Sequence, residues 1–138
     1  MRRVTGFLMF ALVVAIGLVV RAAEPAPADY SKAMKDLGGL MQALGKPGAS
    51  EDFELAKKSA ATARDAFAIV QAYWKAKGDT TATKLAETGT KAAADLNVVA
   101  TLVSSEGVEA AVKDLAATCV ACHAAHREKM PDGSFQIK

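Results

Sequence analysis

The chain has little with which to build a β-sheet or to grip a polyanion. Phe, Trp and Tyr make up only 6% of its 138 residues, and alanine supplies much of the 51% that is hydrophobic. Aromatic and β-branched runs that favour strands are scarce, and no segment alternates polar and apolar positions as a strand does. Alanine suits closely packed helices instead. No internal repeat or low-complexity block appears. A dominant sign of charge is missing too. The formal net charge is +2, but Arg2, Arg3 and Arg21 belong to an N-terminal segment expected to be removed, and without them 14 basic residues stand against 15 acidic ones. A balance of about −1 excludes the electrostatic footprint of a nucleic-acid binder. There are only two cysteines, Cys119 and Cys122.

No apolar run is long enough for a comfortable membrane span. Met1-Arg2-Arg3 followed by the apolar stretch from Gly6 to Val20 reads as a signal peptide over residues 1–23, cleaved near Ala22 or Ala23. The competing reading is an uncleaved membrane anchor, since Arg21 is an unusual flank for a cleavage site. On either reading the folded part is expected outside the cytoplasm, in the periplasm. Residues 24–28, with Pro25 and Pro27, form a stiff leader that is not helical throughout. What remains is one domain over residues 29–130 and a loose tail over residues 131–138.

Cys119-Val120-Ala121-Cys122-His123 is the stretch with chemistry in it. Two thiols three positions apart, followed at once by an imidazole, have the spacing that attaches haem through two thioethers and ligates its iron. At about 100° per residue on a helix the three side chains fall within an arc of roughly 100°, so one face presents both sulfurs and the nitrogen. A thioredoxin-type redox pair wants a βαβ setting and a helix N-terminus, whereas this pair lies near the C-terminal end of a helical run. A zinc site made of Cys119, Cys122, His123 and His126 fails on geometry, because four ligands on two turns of one helix do not surround a tetrahedral ion.

The rest of the domain divides into four helical segments. Asp29 is placed to cap the first, whose apolar positions Tyr30, Met34, Leu37, Met41 and Leu44 step by four and three. It stops at Gly45-Lys46-Pro47-Gly48. Ser50 offers the next cap, and a stripe of Phe53, Ala56, Ala60, Ala63, Phe67, Val70 and Trp74 follows to about Lys77. Gly78-Asp79 opens a third helix with Leu85, Ala92, Leu96, Val99 and Val103 inward. Its threonines and Gly89 lower the helix propensity of its first turns, which are expected to fray. Ser104-Ser105 caps the last, in which Val108, Val112, Leu115, Cys119, Cys122 and His126 form the stripe until Pro131-Asp132-Gly133 ends it. Short connections make neighbouring helices antiparallel, so the expected fold is all-α, an up-down-up-down four-helix bundle with covalently bound haem c in its core.

With the motif near the C-terminus, Arg127 four residues beyond its histidine, and Met34-Lys35-Asp36-Leu37-Gly38-Gly39 in the first helix, the chain resembles the class II cytochromes c from Tyr30 to Lys129. That family comprises cytochrome c′ and its low-spin relatives. The resemblance implies one haem c held by Cys119 and Cys122, with His123 as proximal ligand. It implies that Arg127, one turn on, shields the histidine ring or meets a propionate. The bland alternative for Arg127 is a cation complementing the helix dipole. His126 departs from the family, which commonly has an aromatic residue there, and is expected at the core edge or facing solvent.

The sixth coordination position separates the candidate functions. Met34 and Met41 share a face, and either could supply a thioether. In an antiparallel bundle Met34, roughly 7 Å from the start of its helix, is level with His123, roughly 9 Å before the end of the last, whereas Met41 lies roughly 18 Å along. The low-spin relatives are similar in having methionine at the place of Met34. The leading expectation is therefore a periplasmic one-electron carrier with iron between His123 and Met34, serving redox partner proteins. The alternative is a five-coordinate, cytochrome c′-like protein binding NO or CO. An enzyme is not expected, because no distal acid or base is apparent. The resemblance also implies a possible homodimer. Gly38-Gly39 costs roughly 1 kcal/mol per glycine relative to alanine, which suggests close approach of haem or of a neighbouring helix.

Overall fold

The computed structural model describes residues 26–138. The expected signal peptide over residues 1–23 lies outside them, as do Glu24 and Pro25 of the leader. The described chain is all-α in its core, with four helices consistent with a four-helix bundle: α1 (Ala28–Leu44), α2 (Phe53–Ala76), α3 (Thr80–Thr101) and α4 (Ser105–His126). Two short strands, β1 (Arg127–Lys129) and β2 (Phe135–Ile137), follow. None of the helices among the described residues is long and apolar enough to cross a membrane.

The helix starts follow capping chemistry, with two corrections. Asp79 and Ser104 cap α3 and α4 as their sequence positions suggest, accepting from the N–H of Ala82 at 2.9 Å and of Gly107 at 3.1 Å. α2 is capped by Asp52, whose carboxylate accepts from Leu55 N–H at 2.9 Å, and not by Ser50. Ser50 is taken up in a single 3-10 turn, Ala49–Glu51, and its hydroxyl reaches Glu109 of α4. α1 begins two residues early, with Pro27 at the cap position and Asp29 inside the first turn. Proline is tolerated at such a start because the N–H it lacks has no partner there.

α3 does not fray. It runs unbroken from Thr80 to Thr101, and the hydroxyls of Thr83, Thr88, Thr90 and Thr101 donate to carbonyls one turn back. Gly89, which lowers its propensity, is buried against Phe67 of α2. A Cβ built there falls 2.4 Å from the Phe67 ring, so the absence of a side chain is what lets α2 and α3 close on each other. Alanines line both faces of that contact, Ala56, Ala60 and Ala63 on α2 and Ala82, Ala86, Ala93 and Ala100 on α3, all essentially buried. Val103 is not on the inner face as its spacing suggests. It is 64% exposed, because the chain has already turned: Val103 adopts φ 56° in a terminal turn where Ser104 N–H bonds Val99 O and Val103 N–H bonds Ala100 O.

The packing order fixes where the remaining space lies. α2 and α3 share the most extensive interface, α1 packs on α2, α4 packs on α3, and α1 and α4 meet only sparingly. At one end of the bundle Tyr30 of α1, Tyr73 and Trp74 of α2 and His126 of α4 stack together, with ring centroids 4.3 to 6.4 Å apart. The first turn of α1 therefore lies beside the last turns of α2 and α4.

The C-terminal tail is the largest departure from expectation. α4 ends at His126 rather than at Pro131, and the residues after it form an antiparallel hairpin in which Arg127 pairs with Ile137 and Lys129 with Phe135. Pro131-Asp132-Gly133-Ser134 is its turn. Gly133 takes φ 84°, and Asp132 accepts from Ser134 N–H and hydroxyl. Lys138 N–H bonds His126 O at 3.0 Å, tying the tail back to α4.

Gly89→Ala is the sharpest test of this packing. Alanine gains about 1 kcal/mol in helix propensity, but the added methyl must displace the Phe67 ring, an overpacking cost of about 1–3 kcal/mol. Urea unfolding is expected to show a net loss of stability. A stabilised variant would mean that α2 and α3 are not in this contact.

Candidate functional site

The poorly packed seam between α1 and α4 contains an apolar cavity of about 190 Å³. Met34, Leu37, Gly38 and Met41 form its α1 wall, and Thr118, Cys119, Cys122 and His123 form its α4 wall. Phe67 and Val70 of α2 with Leu85 and Ala86 of α3 complete it. Of the residues picked out in the sequence, Met34, Cys119, Cys122 and His123 thus line one space, together with the rival methionine Met41. Arg127 does not line it.

Local structure explains which side chains reach the cavity. On α1 the fully buried positions are Tyr30, Ala33, Leu37, Leu40 and Leu44, so the core stripe runs slightly to one side of the one read from the sequence. Met34 and Met41 sit at its edge, half-buried, turned to the seam. On α4 the buried stripe is Val108, Ala111, Leu115 and Thr118. It stops just before the motif, and Cys119 and Cys122 are half-buried and free. The two sulfurs and the imidazole share one side of the helix, as the arc of about 100° requires.

The electrostatics of these groups follow from burial. Burial pushes the Cys119 thiol up, and at Cys122 burial together with the neighbouring Cys119 and Asp79 does the same. Both stay protonated at neutral pH, contrary to what a thioredoxin-type nucleophile needs. Burial, and secondarily the Arg127 guanidinium, push the His123 imidazole down, so its ring is neutral at pH 7 and has a lone pair to give. Among the described residues no three His, Cys, Asp or Glu side chains are placed to hold a metal ion among themselves.

His126 is at the core edge. Its side chain is 14% exposed, its Nδ1 lies 3.4 Å from Asp79 Oδ2, and its ring stacks on Trp74 at 4.8 Å. Asp79 thus caps α3 with one oxygen and faces α4 with the other. Arg127 is a correction. It is not in a last turn of α4 but on β1, because α4 ends one residue earlier. Its guanidinium carbon stands 3.4 Å from the centroid of the Phe135 ring. Phe135 escaped the sequence reading, though Asp132-Gly133 flanked by Arg-Glu-Lys and Phe-Gln-Ile carried a hairpin signal.

Comparison of the chain with models of known protein families, with curated proteins and with solved structures finds no match. The site has to be read from its own chemistry.

Tyr30 belongs to the aromatic cluster with Tyr73 and Trp74, and burial is the main reason that its hydroxyl is pushed up to about 12. Between pH 10 and 12 an unfolded tyrosine ionises while the folded one keeps its proton, so folding stability is lost as pH rises through that window. The loss amounts to at most about 3 kcal/mol. Tyr30→Phe lacks this term, whereas lysine titration is common to both proteins. Denaturant midpoints of the two should therefore keep a constant difference below pH 10 and drift apart above it, the wild type falling faster. Parallel curves to pH 12 would contradict the buried hydroxyl.

Proposed function

We propose that the chain is a periplasmic c-type cytochrome of the class II kind, an antiparallel up-down-up-down bundle carrying one covalent haem c and passing single electrons to partner proteins. One observation carries this reading: two thiols, an imidazole and a thioether, from two helices that meet only sparingly, line one apolar cavity. These are the groups that thioether attachment and two axial positions call for.

The residues fit such a group in kind, and the space must widen. About 190 Å³ is below the roughly 300–1,000 Å³ of pockets that enclose a drug-sized molecule. Widening disturbs the least packing at the α1–α4 seam, and methionines on the α1 wall adapt readily. Gly38 and Gly39 favour the same reading. Among the described residues nothing outside their own helix backbone lies within 4 Å of a Cβ at either, so none of the described neighbouring helices is what they accommodate, and Gly38 borders the cavity.

Both methionines line the cavity, so level along the axis has to choose between them. Tyr30 and His126 flank Trp74. Met34 is four residues, about 6 Å, beyond Tyr30, and His123 is three residues, about 4.5 Å, before His126. Met41 is about 16 Å beyond Tyr30. This supports Met34, rather than Met41, as the residue that would hold the iron together with His123.

Haem c, when bound, supplies the one-electron couple. The chain's part is to hold it and to keep water away. Cys119 and Cys122 present protonated thiols for attachment, and His123 presents a neutral nitrogen. Leu37, Phe67, Val70 and Leu85 supply an apolar wall. No carboxylate, lysine or tyrosine lines the cavity, which favours a carrier over acid–base turnover. The same apolar space without a Met34 ligand would instead serve the five-coordinate, gas-binding alternative.

Two experiments test the reading. Haem should remain on the polypeptide through denaturing electrophoresis, and Cys119→Ala or Cys122→Ala should mature poorly; release of free haem would overturn the covalent assignment. The wild-type spectrum should be low spin, with slow, weak carbon monoxide binding. Met34→Ala should turn it high spin and speed gas binding. Met41→Ala should leave the spectrum unchanged and destabilise the fold by about 2 kcal/mol, the low end for a half-buried side chain. A high-spin wild type favours the gas-binding alternative, and a silent Met34→Ala variant points to Met41.

A further inference from the structure

The aromatic end of the bundle buries two polar atoms that have nothing to bond. Among the described residues, the buried side-chain nitrogens and oxygens without a hydrogen-bond partner are Nε1 of Trp74 and Nε2 of His126. Trp74 is 3% exposed and the His126 side chain 14%, and their rings stack with centroids 4.8 Å apart. Burying such groups unpaired is costly, and native structures rarely do so. We propose that Trp74 and His126 together hold one propionate carboxyl of the haem, with Asp79 as the positioning residue behind the imidazole. The inference rests on the haem reading above and adds a polar subsite to it. The family resemblance gives Trp74 no role and departs from this chain at His126.

Helix geometry places the pair next to the cavity. Trp74 stands four residues after Val70, and His126 four after Cys122; both Val70 and Cys122 line the cavity. Residues four apart on a helix share a face and lie about 6 Å apart along the axis. Tyr30 likewise stands four residues before Met34, another lining residue. The ring layer is therefore the next turn of the bundle beyond the cavity. Haem carries two carboxyl groups, and the cavity wall of leucine, valine, phenylalanine and methionine offers them little. A carboxyl drawn in from water needs partners, and the unpaired ones stand one turn away.

The two atoms match a carboxyl group in kind. An indole N–H only donates. Asp79 Oδ2, 3.4 Å from His126 Nδ1, favours the tautomer with its proton on Nδ1, which leaves a lone pair on Nε2. A donor beside an acceptor suits a carboxyl group that carries one proton: its carbonyl oxygen accepts from the indole and its hydroxyl donates to Nε2. Moving that proton to the imidazole gives a carboxylate against an imidazolium backed by Asp79, with the same number of protons and every group still paired. Asp79 is itself fixed, because its Oδ1 caps α3 through Ala82 N–H at 2.9 Å. The Tyr30 hydroxyl is near enough to the indole to be influenced by it, but the two are not in hydrogen-bonding geometry.

The test uses the mature, haem-loaded protein. Trp74 is the only tryptophan in the chain, so the ultraviolet resonance Raman signature of its indole N–H reports this one group and needs no substitution. A hydrogen-bonded indole is expected. The propionate-bending band, excited through the haem, reports the carboxyl side. It should shift in Trp74→Phe and in His126→Phe, which keep a ring without the polar atom, and stay near its wild-type position in His126→Gln, whose amide both donates and accepts. An indole free of hydrogen bonds in the haem-loaded wild type, or a propionate band that ignores Trp74→Phe or His126→Phe, overturns the carboxyl site alone. An indole that becomes bonded only on adding acetate overturns it too, since the carboxyl held is then a free one. A wild type that attaches no haem overturns the functional reading, and this site with it.

Discussion

Close approach of α2 and α3 is the constraint from which the rest of the architecture follows. Alanines on both faces and a glycine under the Phe67 ring let two long helices lie against each other with little between them. The bulk needed for a core then comes from few residues, among them Leu96, Leu115, Val70 and Val108, which are the largest fully buried side chains. α1 and α4 are added to this pair on different partners, α1 on α2 and α4 on α3. Interhelical distance depends on the side chains at the contact, so a tight central pair leaves the outer two helices with little reason to touch. The seam between them is a consequence of alanine elsewhere.

That seam becomes a site because of how α4 is written. From Leu115 to Ala125 the helix carries no formal charge, so nothing in it demands water on the side facing α1. Its buried stripe ends at Thr118, and the motif directly after it turns two thiols and an imidazole to the gap. The aromatic cluster at Tyr30, Tyr73 and Trp74, with His126 against it, fixes the relative level of α1 and α4 at the same end. Asp79 joins the cluster to the start of α3 through its second oxygen. The placement of these side chains therefore depends on packing one turn away from them.

Most of the helical plan was legible, since periodic apolar positions and capping residues are local signals. The errors have specific physical causes. Ser50 and Asp52 are both good caps, and only the 3-10 turn that absorbs Ser50 decides between them. Met34 and Met41 fall on the stripe by spacing, but Ala33 and Leu40 lie on the adjacent row, and tertiary contact with α2 selects that row for the core. The expected fraying of α3 weighed propensity alone and omitted tertiary packing, which buries Ala82, Ala86 and Gly89 in those turns. Pro131-Asp132-Gly133 reads by itself as a helix stop, although the same residues make a turn when strand-like triplets flank them, as Arg127–Lys129 and Phe135–Ile137 do. Arg127 was misplaced for the same reason, since its helical position was extrapolated past the residue at which the helix ends.

The glycines sort the remaining conflicts between local preference and fold. Consistent sequences break local rules where something else compensates. Gly89 is explained by Phe67, and Gly107 by Val99, whose atoms come within 2.8 Å of a Cβ built there. Val103 is a β-branched residue at positive φ, exposed; the turn that closes α3 requires that backbone conformation, and nothing in the structure accounts for a valine in it. Gly38 and Gly39 are different again. They stand in mid-helix, where each costs about 1 kcal/mol, and no neighbouring atom among the described residues requires their small size. Gly38 faces the space shared with Cys119, Cys122, His123 and Met34, so the unexplained cost in α1 and the thiol–imidazole chemistry of α4 converge on one cavity from independent directions.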